Sequence, residues 1–257
     1  MKFLALLFAL CAYISADVMF ACVDHRDIVK EFQYDPASGG MTITDIINSE
    51  GIERVSYAPG RQLWGVTYSG YVKKKSESEG AIYTDSRIGN AAKDISAHYG
   101  VCVATNSGDD IYTKPYSGGS WTYVFSPTHR AKAIEIDCDE DPVIYVADGL
   151  DQYSYCDGYL YKYPNAPGGF DLDVTCFVDI VILSDFIHSN LVTTFDAGDQ
   201  SWKYVDFQDE LERIDCADKG FVELKVDPYN HNTFVYLNRS LIYSAYGVEW
   251  KDIAIEF

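Results

Sequence analysis

The clearest pattern along the chain is a series of short apolar runs separated by turn residues. It is most regular between Val222 and Ile253, which read VELKV, TFVYL, LIYSA and VEWKDI with turns at Asp227–Asn230, Asn238–Ser240 and Tyr246–Gly247. Runs of β-branched and aromatic residues bounded by Asp, Pro, Asn and Gly are typical of antiparallel strands joined by tight turns. Because one such sheet cannot bury both of its faces alone, the pattern predicts several similar sheets that pack together.

Related series of strands occur four more times upstream and give the chain an internal repeat. The residues that anchor the proposed second strands lie about 38 to 48 residues apart, a spacing typical of propeller blades with four short strands. The anchors are Val66, Ala104, Val146, Thr194 and Leu237. The sequence therefore predicts an all-β fold, a β-propeller with five four-stranded blades, as a single domain over residues 17–257.

Two segments that precede the repeats are candidates for closing the ring. The amphipathic segment Asp27–Phe32 is interpreted either as a strand or as a tether held by Cys22, and the alternating segment Met41–Ile47 as a strand. A strand from the N-terminus beside the last sheet would remove two free sheet edges. We expect Met41–Ile47 to take this position. Helical character is confined to one or two turns at Phe207–Arg213.

The N-terminus and the cysteines indicate a secreted protein. Residues 1–16, MKFLALLFALCAYISA, combine one lysine, a short apolar core and small residues at the end, which predicts a signal peptide and extracellular localisation. Cys11 would be removed with the signal peptide, and six of the seven cysteines would remain. An even number of cysteines in a secreted chain indicates disulfides, although six allow about 15 pairings. The candidates are Cys22, Cys102, Cys138, Cys156, Cys176 and Cys216. Asn238 begins an N-x-[ST] sequon at a predicted hairpin tip and is a candidate glycosylation site.

Charge and motifs narrow the possible functions. The net charge of −19 argues against nucleic acid and against an anionic membrane surface as partners, and no segment predicts membrane insertion. The sequence has no H-E-x-x-H, G-x-S-x-G or phosphate-loop motif, so it predicts no enzyme activity, no cofactor and no metal site. The acidic run Asp137–Asp141 could offer oxygens to Ca²⁺, but it lacks the spacing of an EF-hand, and a charged turn between two strands is the favoured interpretation.

Aromatic residues beside polar turns suggest carbohydrate binding. An aromatic face stacks on a sugar ring while neighbouring polar groups bind its hydroxyls, so we assign six candidate ligand-binding residues. They are Trp121, Trp202, Trp250, Tyr112, Tyr161 and Tyr243. The alternative for each tryptophan is packing between adjacent blades.

The repeat also resembles that of a known family. The phrases VSYAPGRQLWGVTYSGYVKK, LKVDPYNHNTFVYLNRSLIYSA and IEIDCDEDPVIYVA resemble the repeat of the tachylectin and tectonin lectins. The resemblance implies a five- or six-bladed propeller that binds N-acetylated or related sugars at several equivalent sites, often in innate defence. The motif tryptophan of that family falls on Trp121, Trp202 and Trp250.

A second resemblance concerns two turns of the sequence. Tyr243–Ile253 and Phe195–Trp202 resemble the S-x-D-x-G-x-x-W turn of sialidases and sortilin-like receptors, a structural device that implies no catalysis. The main hypothesis is a secreted lectin with several shallow sugar sites. The alternative is a non-enzymatic extracellular propeller that binds a protein partner. A third possibility, a propeller hydrolase with a central metal, has no visible ligand set.

Overall fold

The computed structural model describes most of the chain between residues 17 and 256. The described residues are 17–58, 60–75, 82–86, 92–98, 101–106, 109–115, 119–127, 133–136, 143–147, 151–156, 158–163, 165, 171–174, 181–185, 191–196, 199, 201–207, 211–217, 220–227 and 229–256. The predicted signal peptide and the acidic run Asp137–Asp141 lie outside the described residues.

Over these residues the chain forms 24 β-strands and no helix. They are β1 (Val18–Asp24), β2 (Val29–Asp35), β3 (Gly40–Asp45), β4 (Ile52–Ala58), β5 (Gln62–Thr67), β6 (Val72–Lys75), β7 (Ile82–Ser86), β8 (Ala92–His98), β9 (Val101–Asn106), β10 (Ile111–Pro115), β11 (Thr122–Phe125), β12 (Ala133–Ile136), β13 (Ile144–Ala147), β14 (Gln152–Cys156), β15 (Tyr159–Lys162), β16 (Asp171–Val174), β17 (Val181–Asp185), β18 (Leu191–Asp196), β19 (Ser201–Phe207), β20 (Leu211–Ala217), β21 (Gly220–Val226), β22 (Thr233–Leu237), β23 (Ser240–Ala245) and β24 (Trp250–Ile255).

The strands make six four-stranded antiparallel sheets. Sheet 1 has the order β24-β1-β2-β3 and joins the two ends of the described chain. Sheets 2 to 6 each contain four consecutive strands: β4–β7, β8–β11, β12–β15, β16–β19 and β20–β23. The first strands of neighbouring sheets contact one another in the order β4, β8, β12, β16, β20 and β24, and β24 also contacts β4.

The sequence predicted the all-β class correctly but counted one sheet too few. Sheets 2 to 6 correspond to the five predicted repeats, whereas sheet 1 was not recognised. The strand that pairs with β24 is β1, in the register Ala21↔Ala254 and Cys22↔Ile253, and the expectation that Met41–Ile47 would do so was wrong. All seven residues of β1 are buried, which suits a strand with neighbours on both sides. Strand β3, which contains most of the segment, is instead the exposed outer strand.

The predicted second strands do not occupy the same position in every sheet. Val66, Ala104 and Val146 lie in second strands as predicted, but Thr194 and Leu237 lie in the third strands β18 and β22. The reason is that β16 and β20 were missed, and the start of β20 was assigned to a helical turn. In consequence the segment VEWKDI, which contributes β24, belongs to sheet 1 and not to the sheet formed by the three runs before it.

Apolar side chains fill the spaces between neighbouring sheets. Between sheets 6 and 1, Phe20 and Phe32 stack with ring centroids 4.7 Å apart, and Trp250 packs on Phe32 at 5.3 Å. Between sheets 2 and 3, Trp64 packs with Ile95. Burial of each large side chain contributes about 1.5 to 3 kcal/mol. The faces of the sheets therefore bind the sheets to one another.

Polar side chains join the innermost strands where apolar packing cannot. An innermost strand is a sheet edge, so its outward N–H groups need acceptors. The Ser56 hydroxyl of β4 accepts the N–H of Ala97 in β8 at 3.0 Å, and the Ser96 hydroxyl accepts the N–H of Ile136 in β12 at 3.0 Å. Three aspartates do the same: Asp252 to Val55 at 2.7 Å, Asp94 to Ile134 at 3.0 Å and Asp215 to Ile255 at 2.6 Å. Each bond crosses to the next sheet.

Asp252 is the centre of a charged group within this inner layer. Its carboxylate lies 3.4 Å from Arg54 Nη1 and 3.3 Å from Arg213 Nε, and Arg54 Nε lies 3.8 Å from Asp94. The neighbouring innermost strands β20, β24, β4 and β8 therefore carry alternating charges, contributed by Arg213, Asp252, Arg54 and Asp94. Burial raises the pKa values of Asp252 and Asp94, and the arginines offset only part of that effect.

Candidate functional site

The loops divide into two sets that lie at opposite ends of the sheets. Because adjacent strands are antiparallel, the loop between the second and third strands lies at the same end as the connector that leads to the next sheet. We call this end the connector face. Two hydrogen bonds show the arrangement, since Tyr68 N donates to Gly51 O at 2.9 Å and Ala92 N donates to Gly70 O at 3.2 Å. The connector before β4 and the first residue of β8 thus both contact the loop between β5 and β6.

Large apolar side chains are exposed on the connector face of three consecutive sheets. Tyr229 and Tyr246 belong to loops of sheet 6, Ile47 to the connector from sheet 1, and Tyr68 and Tyr71 to a loop of sheet 2. Tyr229 is 88%, Tyr68 80% and Tyr246 75% exposed. We call these five residues the tyrosine arc. The remaining exposed large apolar residues of the described chain are all in outermost strands: Ile43, Tyr123, Tyr159, Leu160, Tyr161 and Leu241.

The loop that carries Tyr229 is held in one conformation by Asp227. The Asp227 carboxylate accepts the N–H of Tyr229 at 2.8 Å and the side-chain amide of Asn230 at 2.7 Å. The backbone N–H of His231 closes the turn on Asp227 O at 2.9 Å. The hydrogen bond from Tyr229, with that from Asn230, lowers the pKa of Asp227 below its ordinary value, so the carboxylate is ionised at neutral pH. A fixed loop loses little conformational entropy when it binds.

The loop that carries Tyr246 is joined to the Tyr229 loop. Gly247 N donates to the Asn232 side chain at 2.9 Å, and Thr233 Oγ1 donates to Val248 O at 2.7 Å. Gly247 has a φ of 68°, a conformation that glycine adopts without strain. These bonds make the two loops one preformed surface.

A cleft opens on the connector face between sheets 1 and 2. It has a volume of about 470 Å³ and is lined by Asp27, Glu50, Gly51, Thr67, Tyr68, Ser69, Tyr71 and Lys73. Its walls therefore combine two aromatic rings of the tyrosine arc with hydroxyl, carboxylate and ammonium groups. The Thr67 hydroxyl accepts the N–H of Tyr71 at 2.9 Å and fixes the loop between β5 and β6.

The structure does not gather the six predicted ligand-binding aromatics into one site. Trp250 is only 3% exposed and packs on Phe32 and Tyr243, so its ring cannot stack on a sugar. The prediction for Trp250 was therefore wrong, because β24 is an innermost strand between two sheets.

The other predicted aromatics lie mainly at separate sheet interfaces. Tyr112 and Trp121 are partly buried against the cluster between sheets 2 and 3. Trp202 is partly buried near Tyr163, with ring centroids 6.0 Å apart. Tyr161 is the most exposed of the set at 46% and belongs to the outermost strand β15.

The predicted cysteine and glycosylation sites differ in their surroundings. Cys22 is a buried thiol of β1 that forms no disulfide, in contrast to the prediction. Burial raises the pKa of this thiol. Cys156 lies partly exposed in β14, whereas the side chains of Cys102, Cys138, Cys176 and Cys216 lie outside the described part of the structure. Asn238 is exposed in the turn between β22 and β23, where a hairpin tip was predicted, and glycosylation there stays a prediction.

Among the described residues, no three His, Cys, Asp or Glu side chains are arranged to hold a metal ion. Within the same residues, the structure shows no helix of the length and apolarity needed to cross a membrane.

The tyrosine arc was not recognised in the sequence, where Tyr229 and Tyr246 were interpreted only as turn residues and Ile47 as part of a strand. A signal was nevertheless present. Turns favour Gly, Pro, Asn, Asp and Ser for conformational reasons, and a large aromatic residue in a turn has no such reason to be there. Tyr68, Tyr71, Tyr229 and Tyr246 all occupy turns or the residues next to them.

Comparison with known proteins identifies a fold but no family. No family model matches the chain, and no curated protein matches it. Among solved structures, the chain is similar to one described as "Crystal structure of Nidogen/Laminin Complex", with 11% sequence identity and a TM-score of 0.73. The match covers 94% of this chain and 98% of that chain. At this identity the likeness shows the fold alone, a β-propeller, and the resemblance to tectonin lectins stays a prediction.

Proposed function

We propose that this protein is a non-enzymatic extracellular scaffold, a closed propeller of six blades that binds a protein partner through the tyrosine arc. The observation that carries the proposal is that the exposed large apolar residues of the described loops all lie on the connector face of three consecutive sheets. Tyrosine is enriched at protein interfaces because its ring buries a large apolar area while its hydroxyl stays hydrogen-bonded. The fixed loops of sheet 6 reduce the entropic cost of association.

The structural neighbour supports this proposal over a lectin. That structure is a complex of two proteins, nidogen and laminin. The aromatic residues on which the sugar hypothesis depended are largely packed between sheets, and Trp250 most of all. A protein partner was the alternative hypothesis from the sequence, and it agrees better with the distribution of exposed side chains.

A matched pair of surface variants tests the proposal. In the arc variant, Tyr68, Tyr229 and Tyr246 become Ser, and in the edge variant the outermost strand residues Tyr159, Leu160 and Tyr161 become Ser. The wild-type protein and both variants are immobilised and exposed to an extract of the tissue that produces the protein, and retained polypeptides are quantified.

The expected result is a polypeptide that the wild-type protein and the edge variant retain equally and the arc variant loses. Loss of about 2 kcal/mol or more at a central tyrosine is typical of an interface hot spot. Capture that the arc variant leaves unchanged would contradict the proposal, as would retention on a sugar resin with elution by free sugar.

A further inference from the structure

The cleft between sheets 1 and 2 contains one carboxylate that no side chain among the described residues binds. Of its two acidic residues, Asp27 is paired, since Lys251 Nζ lies 2.5 Å from Asp27 Oδ1. Glu50 is exposed and makes no side-chain hydrogen bond or ion pair with any residue that the structure describes. One negative charge of the cleft is therefore available to a partner.

Lys73, the basic residue of the cleft, forms no ion pair with the Glu50 carboxylate. Lys73 Nζ donates to the backbone carbonyls of Asn48 and Glu50, each at 3.2 Å. Asn48 has a φ of 60°, and this turn of the connector places its carbonyl within reach of the ammonium. The ammonium is thereby directed at the connector backbone.

Two tyrosine rings complete the cleft. Tyr68 is 80% and Tyr71 37% exposed, and both line the space beside Glu50. A cation over an aromatic face is attracted by the electron density of the ring. Among side chains, the planar guanidinium of arginine suits such a site, because it stacks on a ring while its N–H groups bind a carboxylate in fork geometry.

The overall charge favours the same occupant. A chain with a net charge of −19 attracts positively charged surfaces and repels acidic ones. We propose that the cleft receives an arginine side chain of a basic partner protein, with the guanidinium against Tyr68 and paired to Glu50. This inference rests on the proposed function and names the chemistry of the partner that the tyrosine arc would bind.

The inference is tested on the full chain with a small probe, so that no partner need be identified. N-acetyl-arginine amide is titrated while NMR follows the amide signals of Gly51 and Ser69. N-acetyl-citrulline amide, which has nearly the same shape without the charge, and N-acetyl-glutamate amide serve as comparison probes. The variants are Glu50→Gln and Tyr68→Ala, and the matched control is Glu249→Gln, which removes one exposed carboxylate of the same face outside the cleft.

Saturable arginine binding that Glu50→Gln and Tyr68→Ala each weaken by about threefold to fivefold is the expected result. Glu249→Gln should leave the affinity unchanged, and citrulline should bind more weakly than arginine. Equal weakening by Glu50→Gln and Glu249→Gln would reveal only general attraction to an acidic protein and would overturn the proposal. So would equal binding of citrulline, stronger binding of the glutamate probe, or no binding.

Failure of this inference is distinguishable from failure of the proposed function. A blank titration removes the arginine site but leaves capture by the tyrosine arc as a separate observation. Capture that does not depend on the arc removes the proposed function but does not alter a cleft that binds free arginine amide.

Discussion

Replacement of Asp252 by alanine tests whether the charged inner layer holds the sheets together. The change removes the acceptor of the buried Val55 N–H, which lies 2.7 Å away. It also removes the carboxylate that faces Arg54 at 3.4 Å and Arg213 at 3.3 Å. These contacts join β24, the strand that connects both chain ends, to the sheets on either side.

The expected cost follows from what each group loses. Removal of one partner from a buried ion pair costs about 3 to 5 kcal/mol. Asp94, 3.8 Å from Arg54, offsets part of the lost charge, so we expect Asp252→Ala to lower the free energy of unfolding by about 3 to 5 kcal/mol in all, and not by the sum of its separate contacts. This is a large share of the stability of a typical domain, which is about 5 to 15 kcal/mol.

Asp252→Asn is the matched control, because its amide oxygen can still accept the Val55 N–H. A buried N–H left without an acceptor costs about 1 to 3 kcal/mol, so the asparagine variant should be more stable than the alanine variant by that amount. Urea unfolding followed by tryptophan fluorescence gives both values from the shift of the midpoint at constant slope. A loss below about 1 kcal/mol for Asp252→Ala, typical of an exposed ion pair, would refute the argument, and equal losses for the two variants would refute the backbone-capping role.

Three further predictions concern single residues. Trp250→Ala should lower the free energy of unfolding in urea by about 3 to 5 kcal/mol, whereas Tyr246→Ala should change it by no more than about 0.5 kcal/mol; similar values for the two would contradict the assigned burial. Burial raises the pKa of Asp94, so its stabilising contribution is complete below the unfolded-state value and is lost as pH rises through the folded value. The unfolding free energy of the wild-type protein relative to Asp94→Asn should thus fall as the pH rises above 3.8, the ordinary pKa of an aspartate, and a rise would refute the assignment. Because Cys22 is a buried thiol with a raised pKa, its alkylation by iodoacetamide, measured by peptide mass mapping, should require unfolding, and labelling of the native protein at the rate of an exposed thiol would show otherwise.

The sequence allowed prediction of most strands because short apolar runs are bounded by turn residues. β22, with the sequence TFVYL between the turns at Asp227–Asn230 and Asn238–Ser240, is an example. Some strands were missed because their sequences lack this contrast. β1 is buried along its whole length, and β16 and β20 have charged residues at two of four and three of seven positions. Bounded apolar runs therefore do not identify every strand that has neighbours on both sides or that belongs to the inner layer.

The tyrosine arc could not be predicted for a different reason. Its residues are far apart in the sequence, from Ile47 to Tyr246, and only the order of the sheets brings sheets 6, 1 and 2 side by side. Without β1 beside β24, Tyr229 and Tyr68 could not be located on the same face. The assignment of Trp250 as a sugar-binding residue failed for the same reason, since β24 is an innermost strand.

A polar motif in the repeat identifies the innermost strand of a sheet better than the apolar runs do. The inner strands contain Glu53-Arg54-Val55-Ser56, Lys93-Asp94-Ile95-Ser96, Glu212-Arg213-Ile214-Asp215 and Lys251-Asp252-Ile253. In each, a charged pair precedes a β-branched residue, and Ser or Asp follows in the first three. The structure gives the physical reason. The apolar residue packs between sheets, while Ser56, Ser96 and Asp215 accept an N–H of the next inner strand. Apolar runs occur in every strand of the sheet, but only the innermost strand must supply acceptors to its neighbour. Apolar runs therefore identify the sheets, and this polar motif identifies the innermost strand of four of the six sheets.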